Sequence, residues 1–522
     1  MIKQVNISLS PKAANDMQEC RIAVCKALKI QERDIKHLNI VRRSVDARGR
    51  SVRINLGVEV YIGELPSENA GIHFDYPNVS GKTEVIVVGA GPAGLFAALR
   101  LIELGIKPVV VERGKDVSSR RQDIAAIHRN EEVNPDSNYG FGEGGAGTFS
   151  DGKLYTRSKK RGNIRKILEV LYFHGAQEDI LIDSHPHIGT NVLPKVIQQI
   201  RRSILEAGGE IHFNSRVTNL IIENDKAVGV RINNGESFKG EGVILATGHS
   251  ARDIYKLLRN QGIHLEAKNF AVGVRVEHSQ QLIDSIQYHR PNRGQYLPAA
   301  AYSFTEQVNR RGVYSFCMCP GGVIVPASTS NDEMVVNGMS PSHRGGNYAN
   351  SGIVVEVRNE DLKNYSQYRE FAGLHFQEEL EKKSYRQAGN SRYAPAQRLT
   401  DFIAGRNSSS LPSTSYHPGV IPSDLHHWLP NFVRESLQQG FQQMGRKANG
   451  FVTHEAIILG VESRTSSPIR IPRNEETFEH VKMKGLFPCG EGAGYAGGIV
   501  SSAVDGELCA EKVAQALKLY FA

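Results

Sequence analysis

Six cysteines in 522 residues are too few for a disulfide framework and point to a reducing, cytoplasmic setting. Long apolar runs are missing as well. The most apolar window, Val85 to Ile106, is interrupted by four glycines, a proline and two charges, which makes it a poor membrane span. The first residues, Met1 to Ile7, alternate like a strand and lack the apolar core of a signal peptide. There is one tryptophan, Trp428, and no block of like charge, so the net charge of +8 is dispersed and a nucleic-acid partner is disfavoured. GxxxxGK[ST], HExxH, GxSxG and CxxC are all absent, which removes support for nucleotide hydrolysis, zinc proteolysis, serine hydrolysis and zinc fingers. Proline is ordinary at 21 and no Gly-X-Y period runs along the chain, excluding collagen and low complexity. The length allows two to four domains.

Glycine is what the chain has in excess: 51 residues, roughly 14 above a usage of about 7%. Gly89–Gly94 holds three, Gly140–Gly152 six and Gly485–Gly506 seven. Nearly the whole surplus therefore sits in three short stretches. Glycine permits tight turns and close backbone approach, so each stretch marks a place where main chain meets a bound group.

Residues 1–80 read as a small α+β module. Its strand Val5–Ser10, its helix Ala13–Leu28 with Met17, Cys20, Val24 and Leu28 on one face, and its strands His37–Ser44 and Val52–Ile62 are compatible with a ferredoxin-like unit. Polar Ser67–Lys82 reads as a linker. Residues 81–268 show an α/β pattern: strand Glu84–Val88, helix Pro92–Leu104, a second parallel strand Pro108–Val111 and an amphipathic helix Val192–Ala207. Short strands run from Ile211 to Phe238, then Val243–Ala246. Residues 269–450 mix β-like runs with charged helices, and 451–522 return to the first pattern. The expected fold is an α/β, Rossmann-like domain (parallel sheet plus β-meander) interrupted by an α+β substrate domain and preceded by the small module.

Gly89-Ala90-Gly91-Pro92-Ala93-Gly94 lies between a strand and a helix. There Gly89 permits the turn, Gly91 lets backbone approach a pyrophosphate, and Gly94 lets helix pack on strand. Glu112, with Arg113 beside it, ends the second strand where a carboxylate can accept hydrogen bonds from a ribose diol. The motif signals a dinucleotide without deciding which one.

The later elements decide. The meander, Val243 to Gly248 and Gly485 to Glu491 resemble the remaining FAD elements of the glutathione-reductase-like flavoproteins. More specifically, Phe141 to Leu154, Ala246 to Asp253, Phe316 to Gly322, Asn337 to Ser340, Glu462 to Pro468 and Pro488 to Gly498 resemble the bacterial family described as FAD-dependent (NAD/FAD-utilising) dehydrogenases. The resemblance implies FAD contacts from Gly144, Gly145, Ala146 and Thr148 in the central glycine loop, with Ser150 and Lys153 nearby. It further implies contacts from Val217 beside adenine, from Ala246, Thr247 and Gly248, from Gly490 and Glu491 (a Glu where Asp is commoner), and from Gly497, Gly498 and Ile499 opening the last helix.

For catalysis the candidates are Cys317 and Cys319, which on a strand would share one face; His249, His185 and His187 as proton-transfer groups; and Arg464 as partner to an anionic substrate or the flavin. The glycine loop carries no redox cysteine pair, and no second GxGxxG lies between Gly248 and Gly485. NAD(P)H would therefore act only as a transient donor. The function expected is a FAD-dependent oxidoreductase passing a hydride or electrons between a small-molecule substrate and a non-covalently bound flavin. The alternatives are a flavin-dependent RNA-modifying enzyme and a protein using FAD structurally. The sequence names neither substrate nor oligomeric state.

Overall fold

The computed structural model describes residues 1–66, 71–156 and 162–520. The chain opens with β1 (Ile2–Leu9), α1 (Met17–Leu28), β2 (Ile35–Asp46) and β3 (Arg53–Ile62), an antiparallel sheet of order β1-β3-β2. The helix starts later than its periodicity predicts because Asp16 caps it, accepting the N–H groups of Gln18 and Glu19. Cys20 and Val24 are buried as expected, whereas Met17 is exposed. Of the predicted linker, Ser67–Ala70 lies outside the described residues. Its second half is a strap laid on the next domain: Phe74 and Tyr76 pack against Phe173, and buried Val79 donates its N–H to the Ala207 carbonyl.

Next come β4 (Glu84–Val88), α2 (Pro92–Glu103), β5 (Lys107–Val111), α3 (Leu193–Glu206) and β6 (Glu210–His212). The antiparallel meander β7 (Val217–Glu223), β8 (Lys226–Ile232), β9 (Ser237–Lys239) leads to β10 (Val243–Leu245). Valine and isoleucine fill β4 and β5 and are buried, as strands covered on both faces require.

A second sheet is built from β11 (Phe270–Ser279), β12 (Thr305–Val308), β13 (Arg311–Cys319), β14 (Tyr348–Val357), β15 (Ala394–Arg398), β16 (Val420–Pro422) and β17 (Ile457–Glu462). Its spatial order is β12-β13-β14-β11-β17-β15-β16, antiparallel except for the β15–β16 pair. Here the structure departs from the expected boundary: β17, which the sequence pattern assigns to the returning segment, pairs with β11 and β15 of this second sheet. Its run of apolar residues carries no periodicity that would tell one sheet from the other. The chain then returns through β18 (Leu486–Pro488) and α4 (Ile499–Tyr520), giving a parallel sheet of order β18-β10-β4-β5-β6. Among the described residues no helix is long and apolar enough to cross a membrane.

Candidate functional site

The register of the parallel sheet assembles the site. Val88 pairs with Val111 and with Leu245, and Leu245 pairs with Pro488. Four strands therefore end level, and the loops beginning at Gly89, Glu112, Ala246 and Cys489 leave one edge together. Close backbone contacts lock them. Gly89 has φ +103° and its Cβ would meet the Ala246 carbonyl oxygen at 2.8 Å; a Cβ on Gly492 would meet that of Thr247 at 2.1 Å. Gly506 brings α4 against the first turn of α2, where its Cβ would lie 2.1 Å from the Ala93 carbonyl oxygen. A Cβ on Gly147 would meet Ile499 at 3.1 Å and Pro92 at 3.8 Å, so the amino ends of the two helices flank the glycine-rich loop. Neither side-chain capping of α2 at Gly91 nor a bulky residue at Gly497 and Gly498 covers them.

The glycine-rich loop is pinned from beneath by Arg120, which is fully buried. Its guanidinium donates to the carbonyls of Asn138 at 2.7 Å and of Tyr139, Glu143 and Gly145 at 2.9 Å. Burial pulls this arginine down to about 10, with Glu112 and Glu143 opposing. Glu112 does parallel work from the other side: Oε2 accepts the Ala90 N–H at 2.8 Å, and Oε1 accepts those of Gly114 and Gly142 at 2.9 and 3.0 Å. Buried Glu143 accepts the Val117 N–H at 2.7 Å and lies 3.2 Å from Arg201. Burial nevertheless pushes its carboxyl up to about 7.

These loops enclose one wall of a cavity of about 780 Å³ whose other wall is the second sheet. Gly89, Gly91, Pro92, Ala93, Glu112 and Arg113 line it, as do Gly145, Ala146, Val217 and Ala246 to His249. So do Glu491, Gly497, Gly498 and Ile499, and from the far side Cys317, Cys319 and Arg464. Five expected contact residues stand behind this lining. Ala90 and Gly490 serve by their N–H groups, to Glu112 and to Asp505. Gly94 packs against Gly89, and Gly144, at φ +78°, donates its N–H to the Ala90 carbonyl. Thr148 is a correction: it is fully buried and its hydroxyl is spent on the Glu143 carbonyl.

The catalytic candidates are also revised. Cys317 and Cys319 do not share a strand face, because the ladder slips between Phe316 and Cys319 and Cys317 sits at φ +45°. Cys317 presents its side chain to the cavity while Cys319 is buried beside Arg275. Dense surroundings push the Cys317 thiol up to about 11, with Lys153 only partly offsetting burial. Arg464 is consumed by structure. Its guanidinium contacts Glu333 at 2.6 Å, Glu381 at 3.1 Å and the Thr329 hydroxyl at 2.8 Å. His249 has Nδ1 3.3 Å from Glu491 Oε1, and both ring nitrogens are shielded from solvent without an aligned hydrogen bond. His249 thus stands beside Glu491, and both face the cavity. His187 is spent on the Ser342 carbonyl at 2.8 Å, whereas His185 lines the cavity against Tyr155.

Sequence reasoning missed Arg120, Asp151 and Arg344. Asp151 is shared by Arg344 at 2.6 Å and Lys153 at 3.8 Å, and all three line the cavity. The one available cue was Arg344 standing before Gly345-Gly346. Arg120 offers none, since it lies in a helix that reads as polar.

Residues 82–125 match a FAD binding domain and residues 126–271 the flavin containing amine oxidoreductase family. Residues 269–465 match the family described as FAD-dependent protein, C-terminal domain-like, and residues 1–61 a domain of unknown function. An uncharacterized protein of Clostridium beijerinckii is 38% identical over 99% of each chain. The thiamine thiazole synthase of Aeropyrum pernix is 26% identical over 33% of this chain and 56% of its own. A geranylgeranyl bacteriochlorophyll reductase-like protein of Thermoplasma acidophilum is similar at 14% identity and a TM-score of 0.36, covering 84% of this chain and 79% of that one. The chain belongs to the family of the Clostridium beijerinckii protein, and it is a FAD-dependent oxidoreductase.

Proposed function

We propose that FAD is held non-covalently along the parallel-sheet wall of the cavity and that a small organic substrate meets it under the second sheet. The observation that carries this reading is the level ending of β4, β5, β10 and β18, which brings four loops from distant parts of the chain to one edge. Ligands of open parallel sheets bind outside such carboxyl ends. The residues present fit the cofactor: a Cβ on Gly91 would find nothing nearer than Gly145 Cα at 3.9 Å, so the space before α2 is open to a ligand.

Glu112 and Val217 would hold the adenosine half. The first turn of α2 would hold the diphosphate, because its free N–H groups and helix dipole favour an anion there. Gly145, Ala146 and Glu491 would flank the chain beyond it, and Gly497 to Ile499 would face the flavin. Bound there, FAD supplies two-electron redox chemistry. The protein contributes position: Arg120 and Glu112 fix the loops, and the second sheet forms the facing wall. This arrangement supports a Rossmann-like FAD domain of the glutathione-reductase type, with residues 269 to about 465 as its insertion. It favours a small-molecule partner over a nucleic acid, with NAD(P)H or the substrate itself as electron donor in the cytoplasm.

The test is to purify the protein, record its visible spectrum, and add NADH, NADPH and candidate substrates without oxygen. A yellow protein that releases FAD on denaturation, and whose absorbance bleaches with one donor, is the expected result. A colourless protein that takes up no FAD would overturn the reading.

A further inference from the structure

Among the described residues, the lysine and arginines that line the cavity are matched by carboxylates at every place but one. At the fingerprint end the arginines have carboxylate partners that neutralise them. Arg113 pairs with Asp136 at 2.8 Å and Asp253 at 2.9 Å, and Arg216 with Asp136 at 3.3 Å. On the far side Arg464 pairs with Glu333 and Glu381. Beside β13, under the second sheet, the matching fails. Lys153 and Arg344 both face the cavity, and the carboxylate they share is Asp151, 4% exposed.

Arg344 takes Asp151 in a two-pronged contact, Nε at 3.2 Å and Nη2 at 2.6 Å. Lys153 is left 3.8 Å from the same carboxylate, donating to the Met318 carbonyl on β13 and 34% exposed. The other titratable groups nearby do not cancel the surplus. Arg275 and Glu462 form a buried pair at 2.8 Å, and Cys317, His185 and His187 bring no negative charge at neutral pH. Among the described residues, one positive charge is therefore uncompensated at the wall opposite the fingerprint.

We infer that this end of the cavity is a subsite for a singly charged organic anion, a carboxylate-bearing substrate, with Lys153 as its counter-ion beside the Asp151–Arg344 pair. A single surplus charge suits a carboxylate better than a doubly charged phosphate. An ammonium within a concave, low-dielectric wall gains more from one matching anion than it would at an open surface. The inference rests on FAD occupying the fingerprint end, so that the diphosphate is not itself the anion in question.

The experiment is calorimetric titration of the flavin-loaded protein with benzoate, with its neutral isostere benzamide and with inorganic phosphate, the flavin content being read first from the visible spectrum. Benzoate is expected to bind at least tenfold more tightly than benzamide or phosphate. Lys153→Met, which leaves the Asp151–Arg344 pair intact, is expected to abolish that preference, and Asp151→Asn, which adds to the surplus, to strengthen benzoate several-fold. Equal binding of benzoate and benzamide, tighter binding of phosphate, or no binding of any probe would overturn the proposal while a normal flavin spectrum left the cofactor reading standing. If Lys153→Met does not fold, the wild-type ratio and the Asp151→Asn shift decide alone.

Discussion

A Cβ placed on Gly94 would lie 1.9 Å from the carbonyl oxygen of Gly89: the first turn of α2 touches the end of β4 with no room for another atom. Gly91, two residues into the same motif, has φ −77° and open space around its Cβ position. The two glycines therefore answer to different partners, one to the fold and one to the ligand. Gly94→Ala is expected to cost about 3 kcal/mol or more, as overpacking of a rigid contact does, and to lower Tm with or without FAD. Gly91→Ala is expected to leave the Tm of the apoprotein unchanged and to weaken FAD at least tenfold, measured by fluorescence on reconstitution. Unchanged FAD affinity in Gly91→Ala would remove that residue from the cofactor wall.

Glu143 makes stability depend on pH in an unusual direction. Burial raises its carboxyl to about 7, above the ordinary value of 4.5, so the folded state holds a proton that the unfolded chain has released. Its contribution is then full below about 4.5 and is lost as pH rises through about 7. Oε1, which has no hydrogen-bond partner among the described residues, is where that proton can reside. Glu143→Gln is expected to remove on the order of 2–3 kcal/mol of this slope and to be more stable than wild type at pH 8. Parallel Tm curves for the two proteins from pH 5 to 8 would show that the carboxyl ionises freely in the fold.

The fingerprint was legible because its meaning is local: a buried strand, three glycines at fixed spacing and a helix leave few other readings. The level register of β4, β5, β10 and β18 can be anticipated only as far as each short strand is visible, and the apolar run of β17, within the segment 451–522 expected to return to the first domain, has no period to show that it pairs in the second sheet. Side-chain commitments were not legible at all. Nothing around Thr148 in the sequence says that its hydroxyl turns inward to the Glu143 carbonyl, and nothing around Arg464 says that Glu333 and Glu381 will saturate it. Such pairings join residues far apart in the chain, where neither periodicity nor spacing carries a signal. The left-handed backbone at Cys317 is of the same kind, since a strand pattern predicts an unbroken pleat.

Cys317 is exposed to the cavity, yet the atoms packed around its sulfur push the thiol up to about 11. At neutral pH it stays protonated, and the thiolate is the reactive form. The protein is therefore expected to react slowly with iodoacetamide at pH 7 and to show no thiolate charge-transfer band at long wavelength. Cys317→Ser is expected to bleach and reoxidise at rates within about threefold of wild type. A hundredfold loss of the reductive rate, with flavin content unchanged, would restore the thiol to the reaction.

Arg464 and Arg252 flank Glu381, a carboxylate with no solvent exposure. Arg252 approaches it at 2.8 Å and Arg464 at 3.1 Å, while Arg464 also meets Glu333 at 2.6 Å. Burial alone would raise the Glu381 carboxyl, but the two guanidiniums outweigh it and hold it well below the usual carboxylate range. The network joins Arg252, just after β10, to the second sheet, so it clamps the two walls of the cavity together. Removing one member strands a buried charge, which costs about 3–5 kcal/mol. Arg464→Ala is accordingly expected to lower Tm sharply and to widen the pH range of unfolding on the acid side. The folded fraction should still retain flavin and still prefer benzoate to benzamide. Because a depressed carboxyl stabilises above its unfolded value and loses that effect as pH falls, wild type should itself destabilise steeply below about pH 4, and Arg464→Ala should show a shallower acid limb. An Arg464→Ala protein of normal Tm that had lost anion binding would instead make this arginine a substrate partner.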